Sequence, residues 1–217
     1  MKVKSNKAKT LNNLMHLRSE KTLVQKLNKN GWTDPEVMCE LLFVYQITGE
    51  LDKMQEVLIR MREASSSTEM LADVMLKQGQ LMEQQENYTA AEASYRATLR
   101  LDPSDMHTRY FGHNNLGFSL NVLGRYKDAM PYLEEAIRIE PRLPNAYKNL
   151  GLSYQGLKMY EKAAEMFVTA TRVDPIDTRS YHHLEAMLQK NPKLQDTMPK
   201  MVLQLKKCKQ YVNAMIH

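Results

Sequence analysis

Apolar residues recur along most of this chain in alternating steps of three and four, the spacing of one buried face of an α-helix. Met38, Leu41, Leu42 and Tyr45 form one such stripe, and Met54, Val57, Leu58 and Met61 form the next, with Gly49 between them. Asp34-Pro35 supplies a capping side chain followed by a ring whose φ already suits a first helical turn. The pattern predicts helices over Pro35–Thr48 and Leu51–Ala64. Leu11 to Asn28 reads as an earlier helix, behind a flexible basic tail over residues 1–10. Ser66 with Glu69 reads as a capping box opening the helix that follows the Ser65-Ser66-Ser67-Thr68 break. Toward the other end, Met198, Met201, Leu205, Cys208, Val212 and Met215 predict a last amphipathic helix.

From residue 72 onward a longer period is superimposed. Leu150-Gly151-Leu152-Ser153-Tyr154, followed by Ala163, Phe167, Ala170 and Pro175, recurs 34 residues earlier as Leu116-Gly117-Phe118-Ser119-Leu120, Ala129, Leu133, Ala136 and Pro141. A third unit lies 38 residues further back, with Tyr88, Ala91 and Pro103 in register with Tyr126, Ala129 and Pro141. The four extra residues, Met106 to Arg109, amount to about one helical turn and predict a longer first helix, a loop insertion being the competing reading. Gly117 with Ala129, and Gly151 with Ala163, lack the bulk that would hold two helices apart. Pro141 and Pro175 cannot continue a helix interior and so divide one hairpin from the next. One hairpin cannot bury its apolar face alone, so such units are expected to stack.

These residues resemble the tetratricopeptide repeat, whose 34-residue pattern sets an aromatic, Leu-Gly, Tyr, Ala, Phe and Pro at fixed offsets. Residues 144–177 fill the slots with Tyr147, Leu150, Gly151, Tyr154, Ala163, Phe167 and Pro175. Residues 110–143 carry His113 in the aromatic slot and Leu120 and Leu133 in place of Tyr and Phe. Residues 72–105 keep Gly79, Tyr88, Ala91, Tyr95 and Pro103 but put Gln78 where Leu is expected. The resemblance implies an all-α, right-handed solenoid of helical hairpins. Its parts would be N-terminal helices with a degenerate repeat over 11–68, three repeats within 69–177, and C-terminal capping helices over 178–217.

In that family the stripe beside the core on each first helix lines an inner groove. Carried onto this chain, the stripe is Phe111, Asn114, Asn115, Phe118 and Asn121, then Asn145, Lys148, Asn149, Leu152 and Gln155, then Arg179, His182 and His183. Asn115 and Asn149 share one slot, and an amide can both donate to and accept from an extended backbone. The competing reading is that these asparagines satisfy neighbouring helix groups. With Lys148 and Arg179 close by, the implied ligand is an extended polar or acidic peptide segment, and Phe118 and Leu152 would supply apolar pockets. Heat-shock co-chaperones of the family clamp a terminal carboxylate, but here only Asn115 fits that clamp. Leu76, Gln80, Asn145 and Asn149 occupy its other slots.

Charge adds an alternative. The net charge of +5 divides into +7 over residues 1–31, +5 over residues 190–217 and −7 between them. Basic ends can attract nucleic acid or an anionic membrane surface, or meet the acidic middle of a second copy in self-association. The repeat pattern ranks a protein partner ahead of these. No apolar run is long enough to span a membrane, residues 1–10 do not read as a signal peptide, and Cys39 and Cys208 are too few for a disulfide framework. A cytoplasmic location is the expectation. His182-His183 lacks the i, i+4 geometry of a zinc helix, no phosphate-binding glycine loop occurs, and Glu134-Glu135 point to different sides of a helix. The sequence thus predicts a non-catalytic adaptor that binds another protein, with no cofactor and no metal.

Overall fold

The computed structural model describes residues 19–65 and 67–216, so the first part of the expected Leu11 to Asn28 helix, up to residue 18, and Ser66 lie outside the described residues. The described chain is helical throughout: α1 (19–29), α2 (Pro35–Thr48), α3 (Leu51–Ala64), α4 (Thr68–Gln84), α5 (Tyr88–Arg100), α6 (Met106–Val122), α7 (Tyr126–Ile139), α8 (Pro144–Gly156), α9 (Tyr160–Val173), α10 (Arg179–Lys190), α11 (Lys193–Thr197) and α12 (Pro199–Ile216).

Local chemistry sets these boundaries. Asp34 accepts the Val37 N–H at 3.2 Å, Pro35 occupies the first turn, and Gly49 closes α2 in the left-handed conformation at φ 76°. The break before α4 works differently from the expected capping box. Ser67 is the cap and accepts the Met70 N–H, which leaves Glu69 one position short of reaching back. Glu69 instead accepts from the Ser104 N–H, the Ser104 hydroxyl and the Asp105 N–H, tying the start of α4 to the start of α6. Asp105 caps α6, and the four inserted residues extend that helix by a turn: α6 has 17 residues where α8 has 13.

Helices pair in sequence order as α2–α3, α4–α5, α6–α7 and α8–α9, and each pair packs on the next. Every hairpin turn in the three repeats closes alike. Glu86, Gly124 and Lys158 occupy one slot, all with positive φ (57°, 74° and 61°), and the following N–H groups of Asn87, Arg125 and Met159 each bond back to the carbonyls of Met82, Leu120 and Tyr154 at 2.8 Å. Inside the hairpins the first helix lies close on the second. A Cβ at Gly117 would sit 2.5 Å from Leu133, and one at Gly151 would sit 2.6 Å from Phe167.

The core is continuous along the stack, with Met82 joining the N-terminal cluster to the central one and Tyr154 joining the central cluster to the C-terminal one. At the end of the chain, α12 packs across α9 and α10 with Met201, Cys208 and Val212 buried. The side chain of Met215, assigned to the same stripe, lies outside the described residues. The Asn191-Pro192 interruption is followed by the short α11, seated by Leu194.

Two changes test this packing by urea denaturation. Ala163, fully buried, has no space for a longer side chain, so Ala163→Leu should cost roughly 1–3 kcal/mol. Lys158→Gly relieves a left-handed backbone at an exposed turn and should stabilise the chain by about 1 kcal/mol.

Candidate functional site

The first helices of the repeats, α4, α6 and α8, lie side by side, and one stripe of each opens on a common groove. Its central cavity, about 510 Å³, is lined by Gln80, Glu83 and Gln84 of α4, Tyr88, then Phe111, Asn114, Asn115 and Phe118 of α6, Asn145, Lys148 and Asn149 of α8, and Arg179 of α10. Gln46 of α2 completes it. An adjoining recess of about 380 Å³ shares Phe118 and adds Asn121, Val122, Tyr126, Leu152, Gln155 and His183. The two recesses therefore bring together twelve of the thirteen residues expected along the groove. His182 stands outside both recesses, exposed, with its Nδ1 3.8 Å from Glu185. His183 takes the groove position and stacks on Phe167 at 5.6 Å.

The asparagines divide into two kinds. Asn149 is only 3% exposed, and its Nδ2 donates to Asn114 Oδ1 at 3.0 Å. Asn114 in turn donates to Asn115 Oδ1 at 2.9 Å. Asn121 donates to the Asn149 carbonyl and accepts from the Ser153 hydroxyl, both at 2.7 Å. Asn114, Asn121 and Asn149 thus form a buried amide network that fixes α8 against α6, which departs from the expectation of two equivalent groove amides. The reason lies one repeat upstream. Asn149 finds Asn114 on the preceding first helix, whereas the slot facing Asn115 is filled by Leu76, fully apolar and buried. Asn115 is left half-buried at the cavity wall. The burial of Leu76 also removes that position from any carboxylate clamp.

Charge is distributed unevenly along the groove. Arg179 is neutralised by Asp177, through Nε–Oδ1 and Nη2–Oδ2 contacts of 2.8 and 2.6 Å, and also donates to Asn145 Oδ1. Lys148 has no ion pair within 4 Å among the described residues. Burial, with Arg179 nearby, holds its ammonium below the usual lysine range. Toward the other end Glu83 is half-buried and accepts from the Ser119 hydroxyl at 3.1 Å. Burial pushes its carboxyl up to about 7, and the Ser119 and Tyr95 hydroxyls facing it offset only part of that. Sequence reasoning missed Glu83, yet a signal for it existed. Shifting the stripe back by the 38-residue offset carries Asn121 onto Glu83, and the Ser153–Asn121 hydrogen bond recurs as Ser119–Glu83.

Stacked hairpins with a polar inner wall define a helical-repeat scaffold. Two tetratricopeptide repeat profiles match the chain, over residues 72–105 and 123–188. Over those residues the chain carries tetratricopeptide repeats, which supports a protein-interaction scaffold. No curated protein matches it by sequence. Among solved structures it is similar to BtubC (BKLC) from P. vanneervenii, at 19% identity over 93% of this chain and 90% of that one, with a TM-score of 0.67. It is also similar to MamA from Desulfovibrio magneticus RS-1 (20% identity, 83% and 96% covered, TM-score 0.64). A third similar structure is YrrB, a TPR protein with an unusual peptide-binding site (18% identity, 90% and 98% covered, TM-score 0.62). At these identities the likeness is one of fold.

Two expectations follow from the site. Asn149→Ala leaves Asn114 Oδ1 without its donor in a buried place and should destabilise the protein by roughly 1–3 kcal/mol, read by denaturation. Glu83 binds its proton more tightly in the folded chain than at its ordinary value of 4.5, so the folded state holds more protons between pH 4.5 and 7. Its contribution to stability is complete below that window and is lost as pH rises through it. Glu83→Gln should therefore raise Tm at pH 8 and flatten its decline between pH 5 and 8.

Proposed function

We propose that this chain is a non-catalytic adaptor whose groove along α4, α6, α8 and α10 holds an extended segment of a partner protein. The observation that carries the reading is the continuity of the cavity across three successive repeats, with Asn115 and Lys148 presented to it and the packing slots behind them filled. Asn115 offers an amide to a ligand backbone, Phe111 and Phe118 offer apolar surface, and Lys148 offers a cation to an acidic side chain. Burial strengthens such a pair, because water competes for it less. The unusual peptide-binding site in the description of YrrB, a protein of similar fold, fits the same kind of use. Lys206, Lys207 and Lys209 lie exposed on α12 at the end of the stack, away from this cavity.

The test is capture of partners from native lysate on immobilised full chain, with mass-spectrometric identification and with and without nuclease. A hydrogen bond to Asn115 contributes roughly 0.5–1.5 kcal/mol and one to the Lys148 ammonium roughly 1.5–3 kcal/mol, so Asn115→Ala with Lys148→Ala should weaken specific capture tenfold or more. Because Asn115 Oδ1 also accepts from the buried Asn114 amide, Tm should fall by a few degrees while the far-ultraviolet circular dichroism spectrum stays the same, and Lys148→Ala alone should weaken capture with Tm little changed. Neutralising Lys206, Lys207 and Lys209 should leave capture intact and insensitive to nuclease. The reverse pattern, with capture lost only in the lysine variant and abolished by nuclease or salt, would overturn the groove in favour of electrostatic binding by the chain's ends.

A further inference from the structure

Among the described residues, Glu83 stands in the groove without a counter-ion. It occupies the α4 slot equivalent to Asn121, and its hydrogen bond comes from Ser119. In the next repeat, Asn121 uses its second group as a donor to the Asn149 carbonyl. A carboxylate has no donor to offer, so the equivalent bond cannot form and Glu83 retains unused acceptor capacity at the cavity wall. The described elements packed around it bring no cation: α5 presents Tyr95, whose hydroxyl pKa is driven far above its ordinary range by burial, and α6 presents Asn115 and Ser119.

Two further observations point the same way. Tyr88 and Phe118 line the cavity in an edge-to-face pair with centroids 6.1 Å apart, and aromatic rings attract cations over their faces. Among the described residues, the buried acceptors left without a donor along the groove are Asn149 Oδ1 and, in the adjoining recess, Gln155 Oε1. These neutral oxygens call for a donor along the groove, and only the Glu83 carboxylate adds a preference for a charged one, as an ammonium with three donors or a guanidinium with five.

We propose that Glu83, flanked by Tyr88 and Phe118, is the subsite for a lysine or arginine side chain of the segment held in the groove. The proposal rests on the groove reading above and refines it. Glu83 on α4 and Lys148 on α8 are separated by α6, two interhelical spacings of about 8–10 Å each. An extended chain advances about 3.3 Å per residue. In repeat register Glu83 also lies seven positions further along its helix than Lys148, about 10 Å of axial rise, so the bound segment carries a basic residue about six or seven positions from an acidic one, which sharpens the expectation of a polar or acidic segment.

The probe is N-acetyl-lysine methylamide, compared with the uncharged N-acetyl-norleucine methylamide of similar shape. Glutamate carboxyl carbons of the full chain are titrated by NMR, and the Glu83 signal is assigned by its loss in Glu83→Gln. A cation within about 4–6 Å of a carboxylate lowers its pKa by one to three units. The lysine probe should therefore move the Glu83 midpoint down from about 7 by roughly a unit, and the norleucine probe should leave it in place. An equal response to both probes, or an unmoved midpoint with the lysine probe, overturns the subsite. If Glu83 fails to respond while the Asn115→Ala, Lys148→Ala variant still loses its partner, the groove stands and the subsite falls. If Glu83 responds while that variant keeps its partner, the cation subsite stands and the groove is not where the partner docks.

Discussion

The close approach of two helices across a glycine or alanine is the contact on which the rest of the molecule depends. Gly79 lies under the ring of Tyr95, Gly117 under Leu133 and Gly151 under Phe167, each near enough that an added methyl group would overlap its neighbour. In each of the three repeats the second helix thus offers a large side chain and the first helix yields the space for it. With that distance set, the first helices of successive repeats stand beside one another, and positions 34 or 38 residues apart in sequence become neighbours across a helix–helix boundary. The groove is a consequence of this spacing and needs no dedicated loop.

Polar groups then fix the register between neighbours. The amides of Asn114, Asn121 and Asn149 and the hydroxyl of Ser153 join α6 to α8 through hydrogen bonds that apolar packing alone would not specify. Buried networks of this kind are costly when incomplete and selective when satisfied. Between α4 and α6 the corresponding join is weaker in polar terms: Leu76 replaces an amide and Glu83 replaces another, so only the Ser119 hydrogen bond remains. The result is a groove whose α6–α8 join is closed by several side-chain hydrogen bonds, with Asn149 Oδ1 and Gln155 Oε1 left over, and whose first-repeat side keeps the spare acceptor capacity of Glu83. The same burial that raises the pKa of Glu83 lowers that of Lys148, so each end of the cavity favours a ligand that supplies the missing charge.

The fold was legible because its determinants are local. Apolar steps of three and four, Asp34-Pro35 at one helix start, Gly49 at a helix end, and Gly, Ala and Pro at fixed offsets each state a backbone requirement that the surrounding chain cannot alter. The helix bounds of α2 and α3 follow from these signals alone. The capping of α4 was less legible, since Ser65, Ser66, Ser67 and Thr68 can all serve as caps, and the partner that Glu69 takes at Ser104 lies 35 residues away.

Sequence by itself determined the class of fold, the repeat register and the helix face that borders the groove, because each depends on periodicity. Tertiary structure decided which residues of that face remain available. Asn115 and Asn149 occupy one slot and both line the cavity, yet the first is half-buried and the second almost wholly buried, because the helix upstream of each presents Leu76 in one case and Asn114 in the other. Glu83 gained its character in the same way, from what its neighbours do not supply. Hydrogen-bond satisfaction and desolvation are properties of a surrounding, and residues 35 positions apart become a surrounding only after the hairpins have stacked.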